Sequence, residues 1–208
     1  MNALLNLSFI IVVPFITGIN SYITFILLFV VVIKGWLSVG GFIAFSPIIF
    51  LFMIVLFLVE FIVDKNPWVD VIWEIFHIPI RPAISVLIFY LAYPHKIFAF
   101  KFIVYFIAMI ITLTSLFTKL SIRSSINLSP HCFKNWIFSI LEILFVMINV
   151  SLLCISPVIS LLITAISIVL SIFIIKYRGK NIFIMINNLR RLFAAETIIK
   201  IQHRDTDT

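Results

Sequence analysis

Long apolar runs, separated by short segments that contain charged residues, prolines or glycines, dominate the pattern along the chain. Several runs reach the length of about 20 residues that a helix rising ~1.5 Å per residue needs to cross a ~30 Å hydrocarbon core. We expect spans at residues 7–33, 42–63, 82–93, 102–117, 136–155 and 158–175. The pattern therefore predicts an all-α, polytopic transmembrane helical bundle with about six spans.

The third run, residues 82–93, is short for a complete crossing. Two interpretations remain open for it. The span gains a turn from residues 78–81, or the chain dips into the membrane and returns at Tyr93, Pro94 and His95.

A basic tail follows the last run. Residues 181–201 are predicted to form an amphipathic helix with Arg190 and Arg191 on its polar side, suited to an anionic lipid surface. The chain is accordingly divided into a single transmembrane domain, residues 1–178, and a basic amphipathic cytoplasmic tail, residues 179–208.

Composition excludes a soluble globular class, because 63% of the residues are hydrophobic, 11% are charged and the mean hydropathy is +1.28. The net charge of +7 does not indicate nucleic-acid binding, since the basic residues flank apolar runs instead of covering one face. Residues 121–134 and the tail are rich in Lys and Arg, which predicts that both lie in the cytoplasm. We expect a bacterial inner-membrane protein with both termini inside.

The segment from Glu60 to Pro82 concentrates charge, since it contains four of the eight acidic residues. Three pairs in it are four residues apart, so each pair shares a helix face: Glu60 with Asp64, Asp70 with Glu74, and His77 with Arg81. Pro67 and Pro79 are predicted to break the helix on either side of a short central helix. The candidate ion or substrate pathway consists of the six residues of these pairs together with Lys65 and Glu142.

Glu60 is the most specific candidate for a functional residue because it lies inside an apolar run, about one turn from its end. Acids within spans are often part of ion pathways or proton relays. The alternative is that Glu60 pairs with Lys65 or Arg81 and only joins two helices. A second acid, Glu142, lies inside the fifth run and would face Glu60 if the two halves were inverted repeats.

Glu74 and His77 have the spacing of metal ligands on one helix. Only Asp64 and Asp70 are plausible additional ligands, so we expect no metal, no cofactor and no enzyme activity. The two cysteines, Cys132 and Cys154, are far apart and form no metal-binding motif.

The first run contains a candidate helix break at Pro14, Gly18 and Asn20. Broken helices bind substrates or ions in many transporters. The alternative is a proline kink that packs against neighbouring helices.

At these residues the chain resembles a bacterial membrane family known as domain of unknown function 4126. The resemblance rests on three blocks of residues: Gly18, Asn20 and Tyr22; Glu60, Asp64, Lys65, Pro67, Asp70, Trp73, His77, Arg81 and Pro82; and Lys119, Arg123, Asn127, Ser129, Pro130, Asn135, Ser139 and Glu142. The chain departs from the family pattern at Asn66, Glu74, Ser85 and Ile143. The last departure removes an acid next to Glu142 and weakens a two-carboxylate role there. The resemblance implies a multi-span membrane protein and no specific activity.

The leading hypothesis is a small cation- or proton-coupled transporter or channel-like protein in which Glu60, Asp64 and Asp70 attract the ion and Arg81 balances them. One alternative is a structural or assembly subunit that binds lipid or a partner membrane protein, or forms a homo-oligomer. The other is a metal-dependent membrane enzyme built on Asp70, Glu74 and His77.

Overall fold

The computed structural model describes residues 3–37, 47–64, 67–93, 98–127 and 132–206, and every regular element in these ranges is a helix. The helices are α1 Ala3–Ile19, α2 Ser21–Ile33, α3 Pro47–Val63, α4 Pro67–Ala92, α5 Phe98–Asn127, α6 Cys132–Ile155 and α7 Pro157–Thr206. The all-α class is therefore confirmed.

Four stretches are long and apolar enough to cross a membrane, judged by length and composition: Ile72–Ala92, Ala99–Ile126, Phe133–Ile155 and Pro157–Lys180. The helices α1, α2 and α3 are apolar but shorter. The third predicted span, which was expected at residues 82–93, belongs to a much longer helix than its apolar run indicated. Because the stretch Ile72–Ala92 is long enough to cross a membrane, the chain does not need to dip into the membrane and return at Tyr93.

The first predicted span is divided into two helices. α1 ends at Ile19 and α2 begins at Ser21, with Asn20 between them in an extended conformation (φ −147°, ψ 105°). The Asn20 side chain caps α2, because its Oδ1 accepts a hydrogen bond from the backbone N–H of Ile23 at 3.1 Å. Pro14 lies inside α1 and does not end it.

The predicted break at Pro79 is wrong, because α4 runs without interruption through Pro79 and Pro82. Pro67 stands at the first helical position, where a missing N–H costs nothing. α4 stays continuous because one of its faces is buried against neighbouring helices on both sides of the prolines. Its buried polar side chains recur at helical spacing across the prolines and pack toward α1 and α5: Asp70, Glu74, His77, Arg81 and Ser85.

The predicted bounds of the connection at residues 121–134 are also wrong, since α5 continues to Asn127 and α6 begins at Cys132. Its cytoplasmic position stays a prediction. Arg123 is only 2% exposed and is therefore not a charge in a loop. At the other end, residues 181–201 are helical as predicted, but they continue α7 and do not form a separate helix. Their binding to a lipid surface stays a prediction.

Buried charged and polar side chains lie beside a hydrophobic core, and the surface of the bundle is apolar. α1 lies at its centre, packed against α2, α4, α5, α6 and α7, and α5 packs against α1, α4, α6 and α7. Arg81 and Asp70 have no exposed surface, whereas Ile48 is 77% and Ile155 81% exposed. Soluble proteins have the opposite arrangement, so buried charges and exposed apolar side chains fit a protein that is surrounded by lipid.

Gly18 sets the closest approach between α1 and α5. A Cβ at this position would lie 1.8 Å from Ser115 Oγ and 2.4 Å from the carbonyl oxygen of Thr112. The hydroxyl of Ser115 can rotate away, but the backbone of Thr112 cannot. The two helices can therefore approach this closely only with glycine at position 18.

We predict that Gly18→Ala lowers the free energy of unfolding by about 1–3 kcal/mol, the usual effect of overpacking. The measurement is unfolding of the purified protein in mixed micelles with increasing SDS. Gly179→Ala is the matched control, because a Cβ there meets nothing closer than 3.9 Å. Equal stability of the two variants would contradict the close approach.

Candidate functional site: a buried charge cluster

Eight charged side chains meet inside the bundle, and each is at most 5% exposed. Seven of them belong to four helices, and the eighth, Asp64, directly follows α3. We call them the charge cluster: Glu60 (α3), Asp64 (just after α3), Asp70, Glu74 and Arg81 (α4), Lys119 and Arg123 (α5), and Glu142 (α6). Five of the eight acids of the chain are therefore in one place. Burying so much charge is costly unless each group is paired and hydrogen-bonded.

Arg81 occupies one end of the cluster. Its Nη2 donates to Glu60 Oε1 at 2.8 Å and to Glu74 Oε1 at 3.0 Å. The second terminal nitrogen, Nη1, donates to the carbonyl oxygen of Gly18 at 2.9 Å. One guanidinium thus joins α3, α4 and the end of α1.

Lys119 lies in the middle. Its Nζ is 2.8 Å from Glu74 Oε1, 3.1 Å from Glu142 Oε2 and 3.3 Å from Glu60 Oε1. It also donates to the carbonyl oxygen of Ile19 at 3.0 Å. An ammonium has three hydrogens, so four acceptors already exceed its donor capacity.

Arg123 occupies the other end. Its Nη2 is 2.7 Å from Asp64 Oδ2 and 2.9 Å from Glu142 Oε2, and its Nη1 pairs with Asp70. Ser139 completes this end, since it accepts from Arg123 Nη2 at 3.1 Å and donates to Asp64 Oδ2 at 2.7 Å.

The helix break contributes directly to the cluster. The last carbonyls of a helix have no partner within it and carry a partial negative charge. At the end of α1 the carbonyls of Gly18 and Ile19 receive their hydrogen bonds from Arg81 and Lys119. The carbonyl of Pro14 accepts from Thr112 Oγ1 at 3.0 Å. The break is thus stabilised by the cations of the cluster.

His77 lies beside the cluster and is oriented by two hydrogen bonds. Because a carbonyl only accepts, His77 Nδ1–H donates to the oxygen of Trp73 at 2.6 Å, and Nε2 accepts from the Tyr22 hydroxyl at 2.7 Å. Both ring nitrogens are therefore engaged. Glu74 instead faces Arg81 and Lys119, so the two residues do not form the shared metal site that their spacing permits.

Asp64, Asp70 and Glu74 bring carboxylate oxygens within 4.8 Å of one another, a separation that suits a metal ion. The guanidinium of Arg123 already lies among these three carboxylates, with Nε 3.9 Å from Glu74 Oε1. A metal ion would have to displace a fixed positive charge from this position. The geometry therefore favours an internal ion-pair network over a metal centre.

Three carboxylate oxygens of the cluster are buried without a hydrogen-bond partner among the described residues: Glu60 Oε2, Asp64 Oδ1 and Glu74 Oε2. The cluster thus has more acceptor capacity than its three cations use. In formal charge, five carboxylates face three cations in the described part of the chain.

Two cavities reach this region. One of about 180 Å³ lies between α1, α5, α6 and α7 and ends at Lys119 and Glu142. The other, of about 510 Å³, lies between α2, α3 and α4 and includes Tyr22 and His77 in its lining. Both are partly open and have mostly apolar walls. The first gives the cluster a connection to space outside the packed core.

The structure brings together six of the residues predicted from the sequence: Glu60, Asp64, Asp70, Glu74, Arg81 and Glu142. Glu60 and Glu142 meet through Lys119, and Glu60 pairs with Arg81, the contact named in the alternative that Glu60 joins two helices. Lys65 lies outside the described residues.

Sequence reasoning gave no site role to Lys119 or Ser139 and took Arg123 as a charge of a cytoplasmic connection, although all three belong to the matched family blocks. Lys119 and Arg123 are four residues apart and continue the buried stripe of α5 from Thr112 and Ser115. That spacing was the signal for a longer helix with two inward cations.

We predict that Arg123→Leu lowers the free energy of unfolding by about 3–5 kcal/mol, because it leaves buried carboxylates without their cation. SDS titration in mixed micelles measures this change. Arg178→Leu, at an exposed position of α7, is the matched control and should change stability by no more than ~0.5 kcal/mol. Similar values for both variants would show that Arg123 contributes little to the fold.

The comparisons with known proteins give a single result. No curated protein and no solved structure matches the chain significantly. A family model described as Domain of unknown function (DUF4126) matches residues 7–177. This match contains every residue of the charge cluster and the helix break, and it confirms the resemblance found in the sequence. The chain therefore belongs to the DUF4126 family.

Proposed function

We propose that the protein translocates protons across the membrane, as a small transporter or channel-like protein, through the charge cluster. One observation carries the proposal: five carboxylates and three cations are buried where a broken helix ends, in a bundle whose surface is apolar. Intramembrane acids that face the bundle interior are characteristic of ion pathways and proton relays.

A proton fits the site better than a metal cation does. The positions among the carboxylates are taken by Arg81, Lys119 and Arg123, so the described residues leave no cage of oxygens for a metal ion. A proton needs no such cage. It binds to a single carboxylate oxygen, and Glu60, Asp64 and Glu74 each have one that no described residue bonds.

Proton movement can be followed along the contacts of the cluster. Glu142 lines the cavity between α1, α5, α6 and α7, and Lys119 links it to Glu60 and Glu74. Glu60 in turn belongs to α3, which packs against α2 and α4 and buries little besides Glu60 and Met53. When Glu60 is neutralised, α3 loses its ion pairs with the bundle. This gives binding of a proton a route to conformational change.

We place the protein in a bacterial cytoplasmic membrane with both termini inside. α1 and α2 together form one broken crossing in this arrangement, and α3 to α7 form one crossing each, which makes six. An even number puts the basic C-terminal part of α7 on the same side as the N-terminus, in agreement with the positive-inside rule.

Glu60→Gln is predicted to abolish proton flux because it replaces a group that binds and releases protons with one that does not. Purified protein is reconstituted in liposomes that contain a pH-sensitive dye, the membrane potential is clamped with K⁺ and valinomycin, and a pH gradient is imposed. The wild type should dissipate the gradient faster than empty liposomes, and Glu60→Gln should match empty liposomes. Parallel Na⁺ and K⁺ gradients test the preference for protons.

Glu196→Gln is the matched control, since it makes the same chemical change beyond the last candidate span. It should conduct like the wild type. A wild type that moves no protons, or a Glu60→Gln variant that moves them normally, would overturn the proposal.

Labelling of introduced cysteines tests the topology, in a Cys132→Ser, Cys154→Ser background. Asn2→Cys and Thr208→Cys should both react with a membrane-impermeant maleimide only after the bacterial inner membrane is permeabilised. Reaction of one of them in intact spheroplasts would place the termini on opposite sides and require an odd number of crossings.

A structural or assembly role is the second candidate, and the same ion pairs favour it. The cluster ties α3, α4, α5, α6 and the end of α1 together, which is the work of a purely structural network. In this case the wild type conducts no protons, Glu60→Gln affects stability alone, and a partner membrane protein co-purifies. The two candidates therefore give opposite results in the liposome assay.

A further inference from the structure

The cavity between α1, α5, α6 and α7 has the properties of a binding site that the charge cluster alone does not explain. Its volume is about 180 Å³, slightly more than the ~150 Å³ of an apolar protein cavity that holds benzene. Phe15, Phe138 and Phe145 form part of the walls, and Lys119 and Glu142 lie at the charged end. Apolar walls with a few converging polar groups are typical of small-molecule sites.

The hydroxyl groups in the lining present acceptors. Ser115 donates its hydroxyl hydrogen to the carbonyl of Thr112 at 3.0 Å, and Thr118 donates to that of Thr114 at 2.8 Å. With their hydrogens engaged, both oxygens offer only lone pairs to a ligand. These two oxygens therefore suit a ligand that donates hydrogen bonds, and the hydroxyl of Ser171, which also lines the cavity, can accept as well as donate.

The charged end has the same preference. Lys119 has four acceptors around its three hydrogens and thus has no free donor for a ligand. The neighbouring cluster has more carboxylates than cations in the described part of the chain. An anion at this end would increase the imbalance, whereas a cation would reduce it.

We propose that this cavity binds a small organic ammonium ion: the ammonium group contacts Glu142, Ser115 and Thr118, and an apolar body about as large as benzene packs on the phenylalanines. The role of this ligand as cargo rests on the proposed proton translocation, because exchange of a cation for protons keeps the charge of the cluster constant. Binding itself does not depend on it.

Isothermal titration of the purified full-length protein with benzylamine hydrochloride tests the proposal. Benzyl alcohol, toluene and benzoate are the comparison ligands, since they keep the ring and replace the ammonium with a neutral polar group, nothing or an anion. Benzylamine should bind at least about tenfold more tightly than each of them, the minimum expected from one charge-assisted contact. Equal binding of toluene or benzyl alcohol would show a merely apolar cavity, and tighter binding of benzoate would reverse the assigned charge; either result overturns the proposal.

Two variants locate the site. Ile122→Phe fills the cavity and should weaken benzylamine binding at least about tenfold. Ile163→Phe makes the same change at a half-buried position of α7 that is not in the cavity lining and should bind like the wild type. Glu142→Gln should also weaken binding, but it disturbs the ion pairs, so Ile122→Phe is the decisive variant. If both phenylalanine variants bind benzylamine like the wild type, the ligand lies elsewhere and the proposal fails.

The liposome assay separates this inference from the proposed function. Proton flux without benzylamine binding removes the ammonium site and leaves proton translocation. Benzylamine binding in a protein that moves no protons keeps the site and removes the coupled transport.

Discussion

The placement of Arg81, Lys119 and Arg123 is the constraint on which the rest of the structure depends. Five carboxylates are buried in an apolar bundle, and without those cations their burial would be prohibitive. The cations also decide how the helices are arranged. α4 and α5 must face each other along their polar stripes, and α3 and α6 must bring Glu60 and Glu142 to within reach of Lys119.

The same constraint accounts for the broken first helix. Chain that is not helical is tolerated at membrane depth only where its polar groups are satisfied by protein or water. The turn at Asn20 meets that condition through the cap on α2 and through Arg81 and Lys119 on the carbonyls of α1. Gly18 permits the contact with α5 from which Lys119 reaches the carbonyl of Ile19. Break and cluster are therefore directly linked by the hydrogen bonds of Arg81 and Lys119.

Much of this arrangement could be predicted from the sequence. Hydropathy predicted the all-α class, Pro14, Gly18 and Asn20 indicated a break in the first run, and the concentration of charge indicated the central segment. The errors have a common cause, which is that charge and proline were taken as signs of helix ends. The predicted fourth span ended before Lys119 and Arg123, yet α5 continues through both residues. Pro79 was predicted to break the central segment, yet α4 continues through it. In a bundle that buries charged groups, charged residues repeated at helical spacing indicate the inward face of a helix. Which acid meets which cation depends on contacts between helices, such as Lys119 with Glu60, and no local pattern encodes these.

The different roles of Arg81, Lys119 and Arg123 follow from the chemistry of their side chains. Arg81 and Arg123 have planar guanidinium groups, each of which bonds several partners in fixed directions, so they hold the two ends of the cluster. Lys119 has a point charge on a flexible stem and shares four acceptors among three hydrogens. A small rotation of its ammonium changes which carboxylate is neutralised, with little movement of the helices. A lysine between two arginines thus places a flexible side chain at the centre of a rigid frame, next to the cavity between α1, α5, α6 and α7.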